Sequence, residues 1–343
     1  PIKNVVTAID DVIETIYFGG GTPSLLSEQE LEQILNTIWA NFEVNESPEI
    51  TLEANPDDLT EERIIQLSNS PINRLSIGIQ SFFEDDLKSM NRAHTAAESL
   101  NCLSLATRHF ENITVDLIYG IPNMSIEKWK QNLQQVFDLG IPHISSYALT
   151  VEPKTALDSF IKKGTYPPLD EQLVSEHFNI LVEQTADSGF VHYETSNFGK
   201  KGFFSKHNTS YWKGVSYLGI GPSAHSFIGN TRSWNVANNA KYIIAIERGE
   251  LPSEKEVLSK KDHFNEYIMT GLRTIWGVDL QKIKIDFGKS FYDYLINTSK
   301  KFIDENLLVI SSDSLNANRI EKLKTTQKGK FLADGIASDL FMI

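Results

Sequence analysis

The chain of 343 residues carries a single cysteine, Cys102. One thiol excludes a disulfide framework, a cysteine-rich zinc site and an iron–sulfur cluster held by this sequence alone. No apolar run approaches the roughly 20 residues that a bilayer-spanning helix needs. Pro1 to Thr15 show neither the basic start nor the unbroken apolar block of a secretion signal, so a cytoplasmic location is expected. Positive charge is also short: 32 Lys and Arg stand against 45 Asp and Glu, a net charge of −13. That balance counts against nucleic acid as a partner, because phosphate contacts need clustered Lys and Arg. Internal repeats and low-complexity tracts are missing as well. What remains is ordinary globular composition, 41% hydrophobic and 22% charged, in a length that suggests two domains.

The first part of the chain alternates short apolar strands with amphipathic helices. Strands are expected at Thr15–Phe18, Ile50–Leu52, Arg74–Ile79, Ile113–Leu117 and Ile144–Leu149. Helices are expected between them, at Ser27–Asn41, Thr60–Ser68, Ala96–Phe110 and Ser125–Leu139. The first opens with Ser27 and Glu30 in capping-box spacing and repeats Leu31, Ile34, Leu35 and Ile38 on one face. Repeated βα units with right-handed crossovers give a parallel sheet, open or curled into a barrel.

After Thr150 the pattern changes. A long helix over Asp170–Ser188 precedes extended segments at Tyr193–Phe198, Tyr217–Ile220 and Ala224–Ile228. From Leu258 the chain is mainly helical, at Lys260–Thr274, Leu280–Phe287 and Phe291–Asn306. Strands at Leu307–Ile310 and Arg319–Lys324 then flank a polar turn, and a helix from Gln327 closes a winged-helix-like unit. Charge shifts near the same place: residues 255–343 carry 14 Lys and Arg against 12 Asp and Glu, the preceding residues 18 against 33. A domain boundary is expected near Arg248–Ser253.

Unusual residues collect at the expected strand ends. Gly19-Gly20-Gly21-Thr22-Pro23 follows the first, Glu53 ends the second, Gly78-Ile79-Gln80-Ser81 ends the third, Asp116 lies in the fourth, and Tyr147 and Thr150 close the fifth. Singly, each has a structural explanation, as a tight turn, a helix cap or an ion-pair partner. Together they put glycine amides, carboxylates, an amide and hydroxyls on one rim, where βα barrels bind their ligands.

The segments Tyr17-Phe18-Gly19-Gly20-Gly21-Thr22-Pro23-Ser24, Leu52-Glu53-Ala54-Asn55-Pro56, Arg74 to Ser81 and Asp116 to Pro122, in this order, resemble the radical SAM family of oxygen-independent coproporphyrinogen III oxidase-like (HemN-like) proteins. His207-Asn208-Thr209-Ser210-Tyr211-Trp212 resembles the HNxxYW signature of the HemW branch, regarded as haem chaperones, and Tyr217 to Ser226 continues the likeness. The resemblance implies an incomplete TIM-like βα barrel followed by a mainly helical, winged-helix-like C-terminal domain. Its divisions would be a partial barrel with extension over 1–230, a connecting segment over 231–257 and a HemN-type domain over 258–343. It further implies that Gly20, Gly21 and Thr22 contact the methionine end of S-adenosylmethionine, that Glu53, Gln80, Arg92 and Asp116 contact its amino acid and ribose, and, less securely, that Thr150 lies on the adenine side. Backbone amides and Arg92 suit a carboxylate; Glu53 and Asp116 suit an ammonium group and ribose hydroxyls.

One departure stands out. Family members hold a [4Fe-4S] cluster on a Cys-x3-Cys-x2-Cys loop, and this sequence has none; Cys102, among Leu100, Leu103 and Leu105, reads as a buried apolar side chain. The expectation is a chain truncated before the second barrel strand, or a naturally cluster-free relative, with no cluster-dependent cleavage of S-adenosylmethionine. Haem is the expected cargo. His207 and His225 are candidate iron ligands, Tyr211 and Trp212 candidate stacking partners, against the plain alternative of a structural turn and core aromatics. The resulting expectation is a haem chaperone that delivers haem to an accepting protein, with peripheral membrane association in delivery left open. The alternatives are oxidative decarboxylation of coproporphyrinogen III and a cluster-free barrel for another small ligand.

Overall fold

The computed structural model describes residues 11–313 and 320–343. Ile13–Ala40 with Val44–Phe204 form one compact unit, and Ser205–Ile343 form the body of a second.

The first unit is built on strands β1 (Ile13–Phe18), β2 (Val44–Ala54), β3 (Arg74–Gln80), β4 (Ile113–Tyr119), β5 (His143–Ala148), β6 (Val191–Glu194) and β7 (Asn197–Gly199), in the order β1-β2-β3-β4-β5-β7-β6. β1 to β5 are parallel; β7 runs antiparallel to β5, and β6 antiparallel to β7. This is the expected incomplete βα barrel. Its connecting helices are Glu28–Asn41, Glu61–Ser68, Ala96–Ala106 and Ile126–Asp138, with Glu171–Asp187 after β5. Side chains Thr60, Thr95 and Ser125 cap three of them by accepting backbone N–H groups. β2 begins six residues earlier than expected, at Val44, which pairs with Ile13 of β1; farther along, Asn73 Oδ1 accepts the Ile50 N–H and Nδ2 donates to the Pro48 carbonyl.

Side chains alternate across a strand, and here the alternation sorts chemistry. Leu75, Ile77 and Ile79 of β3 and Ile113, Val115 and Leu117 of β4 join the helix residues Ile64, Leu67, Leu103, Trp129 and Leu133 in one apolar core. The alternate positions, Arg74, Ser76, Gln80 and Thr114, lie on the other face and are buried as well. The inner face of the sheet is therefore polar.

The second unit opens with the helix Lys206–Trp212 and an antiparallel sheet of β8 (His225–Ile228), β9 (Thr231–Asn235) and β10 (Ser253–Val257), with the helix Asn239–Glu247 between β9 and β10. Helices Lys260–Leu272 and Lys289–Asp304 follow. β11 (Val278–Asp279), β12 (Leu308–Asp313) and β13 (Ile320–Thr325) form a second antiparallel sheet, and Gln327–Lys330 and Ala333–Asp339 close the chain. Phe264, Ile268, Leu272, Leu295, Leu323 and Ala337 form its core. The polar turn expected between the last two strands lies largely outside the described residues, as does Arg319. The compact units divide at Phe204/Ser205, whereas composition marks Arg248–Ser253. Packing differs from composition here because 205–257 is fastened to the later helices. The Arg273 guanidinium stands over the Trp212 ring at 5.0 Å, Lys213 over Trp276 at 4.8 Å, and Arg232 pairs with Glu266 at 2.7 Å.

Candidate functional site

The rim begins directly after β1. Gly20 and Gly21 adopt φ of 74° and 69°, and the space beside each, where a side chain would start, is open. Tyr17 Oη donates to Glu53 Oε1 at 2.7 Å and the Gly20 N–H donates to Glu53 Oε2 at 3.2 Å. A Cβ on Gly19 would meet the Tyr17 ring at 2.6 Å and Glu53 Oε1 at 3.0 Å, so the triplet can close over the carboxylate only as glycine there. Thr22 leads into the short helix Pro23–Leu25. The Glu53 oxygens retain lone pairs for a cationic ligand beyond these two bonds.

At the end of β3 the chain turns within three residues. The Ser81 N–H returns to the Ile79 carbonyl at 2.8 Å across Gln80, whose φ is 67°. A non-glycine residue in this region costs on the order of 1–3 kcal/mol and persists only where its surroundings enforce it. A Cβ on Gly78 would stand 2.7 Å from Gln80 Nε2, so the Gln80 amide lies back over Gly78. Asp116, half-buried on β4, has Ser76 Oγ at 3.5 Å. Burial, followed by the charge of Glu53, pushes its carboxyl up to about 7, against the opposing effects of Ser145, Ser76 and Arg74. Burial and the nearby Glu53 and Asp116 charges also push the Tyr17 hydroxyl well above its usual range. Arg92, exposed in the loop after the helix Glu84–Ser89, feels the charges of Asp116 and Asp57. Glu53, Asp116 and Arg92 thus form one electrostatic set beside the glycines. Thr150 lies exposed in the coil beyond β5.

Sequence reasoning missed the polar groups beneath this rim. Arg74, 1% exposed, donates to Asn112 Oδ1 and Thr114 Oγ1. Thr114 Oγ1 lies 3.1 Å from His143 Nδ1, and His143 Nε2 lies 2.7 Å from Tyr193 Oη. Burial and the Arg74 charge hold His143 well below the ordinary imidazole range, so it is neutral. Ser145 Oγ donates to Asn197 Oδ1 at 2.7 Å. The available signal was period-2 polarity inside strands of a parallel sheet, where covered faces normally give continuous apolar runs.

The second group of candidates sits in the second unit. Ser205 caps the helix Lys206–Trp212 by accepting the Asn208 N–H at 3.2 Å. One helical turn brings His207 Nε2 within 3.1 Å of Tyr211 Oη, with the rings edge to face at 4.9 Å. Tyr211 then meets Tyr217 at 4.4 Å. Burial lowers the His207 pKa to about 4, leaving a neutral imidazole, the form that binds metal. His225 lies exposed on β8 and faces Trp234 at 6.3 Å, and Trp212 stacks under Arg273. The structure joins His207 with Tyr211 and gives His225 and Trp212 other neighbours.

Cys102 is buried in the helix Ala96–Ala106, and burial pushes its thiol up to about 12, so it is not a thiolate at neutral pH. Among the described residues no group of three His, Cys, Asp or Glu side chains is placed to hold a metal ion. These residues do not fit an iron–sulfur cluster. The open glycine backbone, the Gln80 amide and the Glu53, Asp116 and Arg92 charges do fit a zwitterionic, hydroxyl-bearing ligand such as S-adenosylmethionine.

The radical SAM superfamily model matches residues 2–136, and the HemN C-terminal domain model matches 258–320. The heme chaperone HemW of Lactococcus lactis subsp. lactis is 35% identical over 338 residues, covering 94% of this chain and 86% of that protein. The heme chaperone HemW of Bacillus subtilis is 32% identical over 329 residues, covering 94% and 84%. The structure of coproporphyrinogen III oxidase (HemN) from Escherichia coli superimposes with a TM-score of 0.79 at 21% identity, covering 96% of this chain and 78% of that one, a likeness of fold. Among the described residues no helix is long and apolar enough to cross a membrane.

Proposed function

Because this chain belongs to the HemW family within the radical SAM superfamily, we propose that it binds haem and passes it to a haem-requiring partner protein. The observation that carries this reading is the neutral His207 imidazole on the Lys206–Trp212 helix, beside Tyr211 and Tyr217. A neutral ring nitrogen can ligate iron, and neighbouring aromatic faces suit a porphyrin. His225 is a second candidate ligand, and Trp212 a second stacking surface. A cytoplasmic setting belongs to the same reading.

The family implies S-adenosylmethionine and a [4Fe-4S] cluster. In this reading Gly20, Gly21 and Thr22 take the methionine end of S-adenosylmethionine, Gln80 and Arg92 its carboxylate, and Glu53 and Asp116 its ammonium and ribose hydroxyls, with Thr150 towards the adenine. These contacts bind and orient the ligand.

Haem titration followed by the Soret band tests the proposal. Wild type is expected to saturate with a shifted band, and His207→Ala to bind at least about tenfold more weakly, the loss expected for one good ligand contact. Equal affinity and identical spectra in the two proteins would remove His207 from the site. Anaerobic conversion of coproporphyrinogen III to protoporphyrinogen IX would overturn the chaperone reading itself.

A further inference from the structure

We infer that His94 and Asn132 are positioning residues that fix the left-handed turn at Gln80, and so aim the Gln80 amide and the Arg92 loop at the ligand of the rim. The inference rests on the reading that Gln80 and Arg92 contact S-adenosylmethionine.

An L-residue at φ 67° needs surroundings that hold it there. Two side chains from outside the strand do so. The Ile79 carbonyl, which already accepts the Ser81 N–H, lies 3.2 Å from His94 Nε2. A carbonyl only accepts, so Nε2 carries the proton. His94 is 3% exposed and follows Arg92 by two residues, so this bond ties the Arg92 loop to the end of β3.

From the opposite side comes Asn132, 0% exposed on the helix Ile126–Asp138. Its Oδ1 accepts the Phe82 N–H at 2.7 Å, and Ser81 Oγ, which donates to Asp86 Oδ2 at 2.8 Å, stands 3.3 Å from the same oxygen. Asn132 shares its helix face with Trp129, Leu133 and Val136, all in the core. Among the described residues its Nδ2 has no hydrogen-bond partner. An amide half satisfied in an apolar stripe is a costly choice for packing. The oxygen bound to the Phe82 amide explains it, because that bond fixes where the chain leaves the turn.

The test measures S-adenosylmethionine binding to the whole chain by calorimetry, and hydrogen exchange at the Phe82 amide without ligand. Gln80→Ala is expected to weaken binding about tenfold, and Asn132→Ala and His94→Leu about fivefold each, as lost hydrogen bonds and misplacement should. His94→Gln, which can offer an amide N–H near the place of Nε2, is expected to recover to within about twofold. Adding Asn132→Ala or His94→Leu to Gln80→Ala should weaken binding no further, whereas a general structural loss would add in full. Exchange at Phe82 should speed up about tenfold or more in Asn132→Ala. Should Asn132→Ala fail to fold, the His94 pair carries the test. A Gln80→Ala chain that binds like wild type overturns the rim reading and this inference together. Weak binding by Gln80→Ala, with Asn132→Ala and His94→Leu unchanged or fully additive, overturns this inference and leaves the rim reading standing.

Discussion

In the Ile13–Phe204 unit polar groups of the strands are sunk into a sheet face: Arg74 is 1% exposed, Gln80 6%, and burial pushes the Asp116 carboxyl up to about 7. In the Ser205–Ile343 unit the candidate groups ride on a two-turn helix with no fully buried residue, and Tyr211 is 40% exposed. Burying charge without partners is expensive, so the first region exists only as a connected set of hydrogen bonds and opposed charges. Such a preformed polar set suits a small polar ligand. The second region offers ring faces and a neutral imidazole near the surface, which suits a large flat ligand that brings its own apolar area.

The strongest challenge to this contrast lies in the cores behind the two regions. Trp129→Ala and Phe264→Ala each empty a fully buried aromatic position and are expected to cost about 3–5 kcal/mol in denaturant unfolding. A loss under about 1 kcal/mol for either would mean that its region lacks a close-packed support.

Asp116 gives the next effect. Its folded carboxyl releases a proton near pH 7, and the unfolded one near 3.8. The folded state therefore binds the extra proton between these values, and wild-type stability should fall as pH rises from about 4 to about 7. Asp116→Asn should remove that slope and gain about 2–3 kcal/mol over wild type at pH 8, discounted for partial exposure. Parallel stability curves for the two proteins would show that the carboxyl is not strained by burial.

His207 should behave in the opposite sense. Its folded pKa is lowered to about 4, so protons compete with iron only at low pH. Haem affinity should change less than about threefold between pH 8 and 5, whereas an ordinary imidazole would lose about thirtyfold. A thirtyfold loss would move His207 into solvent and sharpen the contrast between the regions. The smallest effect is expected from Tyr211→Phe, which removes the hydroxyl 3.1 Å from Nε2. Stability should drop by about 1 kcal/mol or less, with haem binding retained in the Soret titration.

Much of the fold was legible because local patterns agree with global packing. Leu31 and Leu35 repeat on one helix face, Ser27 and Glu30 make the expected capping box, and five apolar runs became five parallel strands. Rim residues were legible where chemistry departs from such a pattern: glycines that no helix needs, and a carboxylate inside a strand. Arg74, His143 and Asn132 were not, since each finds its polar partner far along the chain, where no local pattern announces it. Arg74 meets Thr114, His143 meets Tyr193, and Asn132 meets Phe82.

Sequence by itself determined the order of βα units and the glycine and carboxylate positions of the rim. Only the tertiary structure decided which face of the sheet is polar, how Gln80 is held left-handed, and that burial raises the pKa of Asp116 and lowers that of His207. Those outcomes depend on burial and on neighbours brought from distant segments, and neither is encoded in any local stretch of residues.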